Sequence, residues 1–408
     1  MRFAHLADCH VGGWRDPKLR EVSIKAFIRA VDDCISQEVD FILISGDLFN
    51  TSLPSLDKLK ESVKKLKELK DRKIPVYLIA GSHDFSPSGK TMLDVLEHAG
   101  LFVNVAKGED TEDNRLRLRF TVDPSTGAKI TGMPGKKGGL ERAYFQNLVR
   151  DNLEKEQGYK IFMFHSALTE FKPEDMKEMD SHPLSLLPGN FSYYAGGHVH
   201  YVFEKDEQGY GKIVFPGPLF PNNFRELEKL RTGGYYLVDI QDGNTKAQYR
   251  PVVVHNTESI SKKCDHKSPE EVQMEIAEEI KAREFMDTIV TIRLEGTLKS
   301  GRPSDIDFKE IFRLLYEKQA YFVMKNTNKL TTEEFEEIKI DTSSTDDVES
   351  ELIKEHLGQI KVRGMDYEQE EKLIRSLMHI LEAEREDGEK VADFEKRIRG
   401  EAEKLITL

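Results

Sequence analysis

The chain has 408 residues, 38% of them apolar and 33% charged, with a formal net charge of −13. That length exceeds one average domain, and the composition is that of a globular chain with a well-solvated surface. It excludes a disulfide scaffold, since the three cysteines (Cys9, Cys34, Cys264) are odd in number and widely spaced without C-x-x-C, and a helical membrane protein, since no run of about 18 apolar residues occurs.

The N-terminal MRFAHLADCH lacks the regions of a signal peptide, whose cleavage would also remove Asp8 and His10, so a cytoplasmic protein is expected. The acidic balance does not decide a partner. Charge acts locally, and much of the acid sits in the last third, as at Glu333, Glu334, Glu336 and Glu337.

Up to about residue 255, short apolar runs alternate with helical stretches. RFAHLAD, FILISGD, VYLIAGSHD, KIFMFHS, YYAGGHVH, KIVFPG and GYYLVDI are rich in Ile, Val, Phe and Tyr and stop abruptly at Asp, His or Gly. Strands buried on both faces read this way. Between them, LDKLKESVKKLKELK sets Leu59, Val63, Leu66 and Leu69 at helical spacing, and burial of that stripe is expected. The alternation predicts an α/β layered fold with ligands at the carboxyl ends of its strands.

From 256 to 337 the pattern changes. Residues 268–284 read as a helix opened by Ser-Pro-Glu-Glu, 288–296 as an alternating strand, 305–318 as a helix and 321–326 as a strand, making a small α+β domain. A polar, acidic linker follows at 338–348. Over 349–408 one helical pattern carries Leu352, Ile353, Leu357 and Ile360, and another carries Leu373, Ile374, Leu377, Met378 and Leu381. So thin an apolar content does not build a secure core. The segment reads as a docking element, with a hairpin folded back on its own chain as the alternative.

Five short blocks fall at predicted strand ends: Asp8-x-His10, Gly46-Asp47, Gly81-Ser82-His83-Asp84, His165 and Gly197-His198-x-His200. Aspartate and neutral imidazole suit Mn²⁺, Fe, Zn²⁺ or Ni²⁺, and the glycines permit tight turns that aim the next side chain. Two metals about 4 Å apart need a bridging carboxylate, and Asp47 is the natural bridge. Asp-x-His alone is weak, because a capped turn with a surface histidine explains it. Gly-His-x-His is expected by chance in roughly 2% of such chains, and five blocks in order make a metal centre the reading.

These blocks resemble the calcineurin-like metallophosphoesterase signature. LADCHVG, GDLF, GSHDFSPSGKTMLDVL and FPGPLFPNNF, within the first 255 residues, are similar to the archaeal-type nuclease subunits of DNA double-strand-break repair complexes. Those subunits pair with a coiled-coil SMC/ABC-type ATPase. The resemblance implies a layered β-sandwich nuclease core flanked by helices over 1–255, an α+β capping (DNA-binding) domain over 256–337, the linker at 338–348 and a helical ATPase-binding element over 349–408. It implies two Mn²⁺ per subunit, although other divalent metals suit the same residue types. Asp8, His10 and His200 hold one, Ser82, His165 and His198 the other, and Asp47 is shared. His83 is then the general acid rather than a ligand, with Asn50 and Asp84 behind this set and Asn50 placed to orient His83. The activity implied is a 3′-to-5′ exonuclease on duplex ends and an endonuclease on hairpins and single strands. The assembly implied is a nucleoid-associated homodimer joined through helices near 56–72 and 92–98.

Two residues depart from the family pattern. Ser82 stands where the family usually has Asn, and a hydroxyl is a shorter, poorer ligand than an amide oxygen. Asn50 stands where several members have His; it can accept from His83 but cannot share a proton. Two rival readings follow: a DNA-end-binding scaffold with weakened catalysis, and a metallophosphoesterase acting on small phosphodiesters. The loop Gly135–Gly139, with Lys136 and Lys137, reads equally as a contact for DNA phosphates and as a solvated turn. Trp14 reads as a cover for its loop rather than a stacking platform. Cys9 and His5, His98, His182, His255, His266, His356 and His379 read as structural or surface residues.

Overall fold

A computed structural model describes residues 1–86, 91–136, 141–333, 367–381, 383 and 391–406. Lys137, the linker at 338–348 and the helical pattern at Leu352–Ile360 lie outside the described residues.

Two six-stranded sheets form the larger part of the first compact unit, Met1–Glu334. In the first, β1 (Arg2–Leu6), β2 (Phe41–Ser45) and β3 (Val76–Ile79) run parallel, and Gly233–Gln241 pairs antiparallel with β1. In the second, β4 (Lys160–His165) runs parallel to β5 (Tyr193–Gly197) on one side and to Lys129–Met133 on the other.

Side-chain alternation explains why these strands read as unbroken apolar runs. Phe3, Phe41, Leu43 and Tyr77 of the first sheet meet Ile161, Met163, Tyr193 and Val214 of the second in a buried layer. On its other face, the first sheet turns Ala4, Leu6, Ile42 and Ile44 toward α1 (Pro17–Ser36) and α2 (Leu56–Asp71), through Phe27, Leu66 and Leu69. The second sheet packs Phe162, Phe164 and Phe215 against Phe145, Leu148 and Leu153. The result is the α/β layered sandwich expected of the sequence. The α2 stripe is buried at Leu66 and Leu69 and half-buried at Leu59 and Val63.

One polar residue crosses the middle layer. His5 is fully buried, with Nδ1 3.0 Å from the Tyr193 hydroxyl and Nε2 3.0 Å from Ser45 Oγ. Burial pushes its imidazole down to about 3.

The smaller part of the same unit is a three-stranded sheet of Asn256–Lys263, Thr288–Leu298 and Phe322–Thr332, all parallel. The helices Pro269–Ala282 and Phe308–Glu317 connect them, and Ser268 with Glu271 forms a capping box at the first. Val290, Ile292 and Leu294 share a core with Ile276, Ile311 and Leu315. Ile289, with Phe322 and Met324, instead packs onto the α1–α2 side of the larger part. The strand Asn256–Lys263 was not legible in the sequence, because only Thr257 and Ile260 along it are buried. In the second unit, Phe335–Leu408, helices Tyr367–Leu381 and Val391–Ile406 pack on one another. No described helix is long and apolar enough to cross a membrane.

His5 gives the fold a testable pH dependence. The unfolded chain protonates this histidine near the ordinary value of 6.5, the folded chain only near 3. Stability from this residue is therefore full above 6.5 and declines as pH falls below it, by up to ~1.4 kcal/mol per pH unit. Urea unfolding at pH 7, 6 and 5 is expected to show a shallower decline for His5→Gln than for wild type. Equal slopes would remove His5 as the source.

Candidate metal centre

All five motif blocks leave the carboxyl ends of β1 to β5, so the two sheets deliver their polar residues to one edge of the sandwich. Each chain segment must turn at once to keep its side chain over that edge. Asp8, His10, Asp47 and His198 accordingly adopt positive φ values of 48, 41, 52 and 86°. Each such conformation costs about 1–3 kcal/mol for a non-glycine residue and needs surrounding structure to hold it. A main-chain ladder does so: Asp8 N donates to Gly46 O (3.1 Å), His10 N to Asp47 O (2.9 Å) and Val11 N to Leu48 O (3.0 Å). Gly46 itself has φ 88°, and a Cβ there would overlap the His165 ring.

The side chains converge on Asp47. Its Oδ1 accepts from His83 N at 2.7 Å, and its Oδ2 lies 3.2 Å from His165 Nε2 and 3.8 Å from His10 Nε2. Both oxygens of Asp8 lie 3.0 Å from the donating His198 N, and Asp8 Oδ1 is 3.8 Å from His200 Nε2. The donor atoms of Asp8, His10 and His200 fall within 4.8 Å of one another, as do those of Asp8, Asp47 and His165, and those of His10, Asp47 and His83. Asp8, His10 and Asp47 each belong to two of these clusters. The His198 and His165 rings lie 5.2 Å apart between centroids. Ser82 is half-buried in the turn beside His83.

Several main-chain and carboxylate groups aim the rings. His165 Nδ1–H donates to Ser45 O at 2.8 Å, and His200 Nδ1–H donates to Glu226 Oε1 at 2.8 Å. Each bond leaves a lone pair at Nε2, the arrangement that metal-ligating histidines adopt. His165 Nε2 is buried without a hydrogen-bond partner, and His10 Nε2 and His200 Nε2 face each other at 3.1 Å. Two imidazole nitrogens facing at 3.1 Å, and a third buried 3.2 Å from the Asp47 carboxylate, need either a proton or a metal ion between the groups. The residues present fit a pair of divalent metals.

Without a cation in the cluster, protons take part of its place. Burial holds His10 neutral, and burial with His165 pushes His198 down to about 3. Burial works against the Asp47 carboxylate, yet the imidazoles of His165, His10 and His83 keep it below the usual carboxylate range. Burial also opposes charge on His165 and His200, but Asp47 lifts the first to about 10 and the Glu226 hydrogen bond lifts the second to about 8.

Asp84 staples the turns together. It accepts from Leu48 N (3.2 Å), Phe49 N (3.1 Å) and Gly81 N (3.1 Å), tying the turn that carries Asp47 to the one that carries His83. Burial and the neighbouring Asp47 push its carboxyl up to about 7. Asn50 does orient His83, through its main chain: the Asn50 carbonyl accepts from His83 Nδ1–H at 2.9 Å, while the Asn50 side chain faces Asn222 at 3.5 Å. The side-chain role expected of Asn50 is thus taken by a group every residue possesses. Lys136 lies over the Tyr144 ring at 3.9 Å and donates to its hydroxyl at 2.6 Å. Trp14 covers its loop, donating from Nε1 to Pro221 O at 2.8 Å. Cys9 is buried in the core. Glu226 was missed in the sequence, although Asn223-x-x-Glu226 has the spacing of a helix start, and Asn223 does cap the helix Phe224–Leu230.

Residues 1–202 match a family model described as calcineurin-like phosphoesterase. The chain is similar to the DNA double-strand break repair protein Mre11 of Archaeoglobus fulgidus, 26% identical over 372 residues, which cover 86% of this chain and 79% of that one. The protein of the same name from Sulfolobus acidocaldarius is 26% identical over 422 aligned positions, covering 99% of this chain and 100% of its own. That of Thermoplasma acidophilum is 31% identical over 252, covering 60% and 63%.

Replacing the staple tests the geometry. Asp84→Ala leaves three buried amides without an acceptor, and a loss of about 3–5 kcal/mol is expected in urea unfolding. Mn²⁺ binding, followed by calorimetry, is expected to weaken with it. A loss below about 1 kcal/mol would show that the two turns hold without Asp84.

Proposed function

We propose, for a chain whose residues 1–202 belong to the calcineurin-like phosphoesterase family, a DNA double-strand-break repair nuclease that acts with a coiled-coil SMC/ABC-type ATPase. The observation that carries the reading is the pair of buried carboxylates Asp8 and Asp47, each shared by two donor clusters, in a chain that aligns over 99% of its length with a relative named for that repair. Asp8, His10 and His200 would hold one divalent ion, and His165, His198 and Ser82 the other, with Asp47 common to both; Mn²⁺ is the ion proposed. Bound there, the pair supplies Lewis acidity and an acidified water for in-line attack on phosphorus.

The chain's own residues do the rest. His83 is partly exposed, and its Nδ1–H is committed to the Asn50 carbonyl, which leaves Nε2 to deliver a proton to the departing 3′ oxygen. The Asp47 bond to His83 N keeps that ring beside the centre. Ser82 reaches less far than an asparagine, so the second ion binds more weakly here than in relatives with the amide. Substrates are duplex ends, trimmed 3′ to 5′, with hairpins and single strands cut internally, and recognition goes mainly to the backbone. Lys136 and Lys137 are proposed contacts for it.

The parts beyond the phosphoesterase domain extend the reading. Residues 256–337 serve as a DNA-binding cap, 338–348 as a linker and 349–408 as the ATPase-binding element, whose described helices belong to the second compact unit. A homodimer would use α2 and the helix Met92–His98. Leu53, Leu56 and Val95 in this region are 69%, 79% and 58% exposed, an apolar surface that a second copy would cover. The protein is proposed to be cytoplasmic and nucleoid-associated. Ser82 favours a second reading, a DNA-end-binding scaffold with weakened catalysis.

End-labelled duplex DNA incubated with Mn²⁺, Mg²⁺ or EDTA tests the proposal. Trimming from 3′ ends is expected with Mn²⁺ and is expected to fall roughly 10²–10⁴-fold in His83→Ala and Asp47→Ala. Absence of cleavage, alone and with the ATPase, would sink the nuclease. A large gain in Ser82→Asn would instead favour the scaffold.

A further inference from the structure

The motif blocks leave one shielded carboxylate unexplained. Glu226 lies on the short helix Phe224–Leu230, here α3, which follows the last motif. Its Oε1 accepts from His200 Nδ1–H at 2.8 Å and its Oε2 from the Asn222 amide at 2.7 Å. The Asn223 side chain also donates to Oε1, so the carboxylate is fixed at both oxygens. An imidazole bound this way presents its lone pair at Nε2, and His200 Nε2 points into the cluster of Asp8 and His10.

Two residues further on, the helix turns a second carboxylate the other way, since positions i and i+2 lie about 200° apart. Arg293, on the central strand of the small sheet, clamps Glu228: Nε lies 2.9 and 3.0 Å from its two oxygens and Nη2 2.6 Å from Oε2. The guanidinium also lies over the Phe224 ring at 5.1 Å. Arg293 and Glu228 are only 20% and 18% exposed, so this bidentate pair is screened less than a surface ion pair. On a third side, Arg225 and Lys229 both donate to Asp175. About two turns of helix thus hold His200 on one flank and the small domain on another.

We propose that Glu226 is a positioning residue for the metal centre, fixing His200 with Nε2 as the donor. We propose further that the Glu228–Arg293 clamp keeps α3 in place, so that the small domain tunes how well His200 binds a divalent ion. The proposal rests on the function above only in taking His200 as a metal ligand. If Glu226 served merely to begin α3, its loss would lower stability and leave ion binding untouched.

The test is calorimetric titration of Mn²⁺ into the metal-stripped full chain, with urea unfolding of the same samples. Glu226→Ala is expected to weaken one binding event 10–100-fold and leave the other within about threefold. Glu226→Gln, which keeps an acceptor in place, is expected to lose less than tenfold. Arg293→Ala is expected to weaken the same event severalfold, and in combination with Glu226→Ala to add less than its own factor, since both act through one helix. Wild-type Mn²⁺ affinity in folded Glu226→Ala overturns the positioning role, and an unchanged or fully independent Arg293→Ala overturns the coupling. Should Glu226→Ala fail to fold, the ¹⁵N spectrum of His200 in the wild-type apoprotein, recorded at about pH 10 where the ring is neutral, decides: an Nδ1-protonated ring supports the proposal and an Nε2-protonated ring overturns it. A wild type that binds Mn²⁺ but cuts no DNA, alone and with the ATPase, would refute the nuclease reading and leave this test intact.

Discussion

Three carboxylates and five imidazoles share one edge of the sandwich, and nearly every local feature of the site follows from the cost of placing them there. A carboxylate removed from water is tolerated only where donors converge on it. Asp47 therefore receives a main-chain amide and sits among three imidazoles, Asp8 receives the His198 amide, and Asp84 receives three amides. Those amides are available because the chain turns sharply at each strand end, and the positive φ values at Asp8, His10, Asp47 and His198 are the conformational consequence. Strain, hydrogen bonding and ligand geometry are one arrangement seen three ways.

The two sheets are not independent supports for this edge. Ser45, the last residue of β2, accepts from His165 of the second sheet through its carbonyl and meets His5 of β1 through its hydroxyl. His5 in turn reaches Tyr193 on β5. A sliding of one sheet over the other would break the His165–Ser45 and His5–Tyr193 bonds together, so the separation of the Asp8 and Asp47 group from the His165 and His198 group is set by the core. Asp84 performs the same service within the first sheet, between the β2 and β3 turns.

The helix after the last motif extends this logic outward. Engaging Nδ1–H favours presentation of Nε2; His165 and His83 use main-chain carbonyls for it and His200 a carboxylate, whereas His10 Nδ1 is buried without a partner among the described residues. A main-chain acceptor is fixed by the sheet, whereas a carboxylate on a short helix is only as rigid as that helix. The ion pair between Glu228 and Arg293 supplies rigidity from a part of the chain that, among the described residues, adds no donor atom to these clusters.

Period and punctuation in the sequence determined the layered α/β core, since strands covered on both faces must be apolar at successive positions and must end where polar residues begin. They also placed Asp8, His10, Asp47, His165 and His200 at or just beyond strand ends, where their donor atoms fall into clusters of three. The polar strand Asn256–Lys263 escaped because only two of its side chains are buried, and the local pattern carries nothing more. What only the tertiary structure decided was pairing across long stretches of chain. Glu226 with His200, Arg293 with Glu228 and His5 with Tyr193 and Ser45 are meetings of residues that no periodicity relates. Asn50 shows the same limit from the other side: its position was legible, but its main chain rather than its side chain orients His83, a choice made by how the turn folds and not by which residue occupies it.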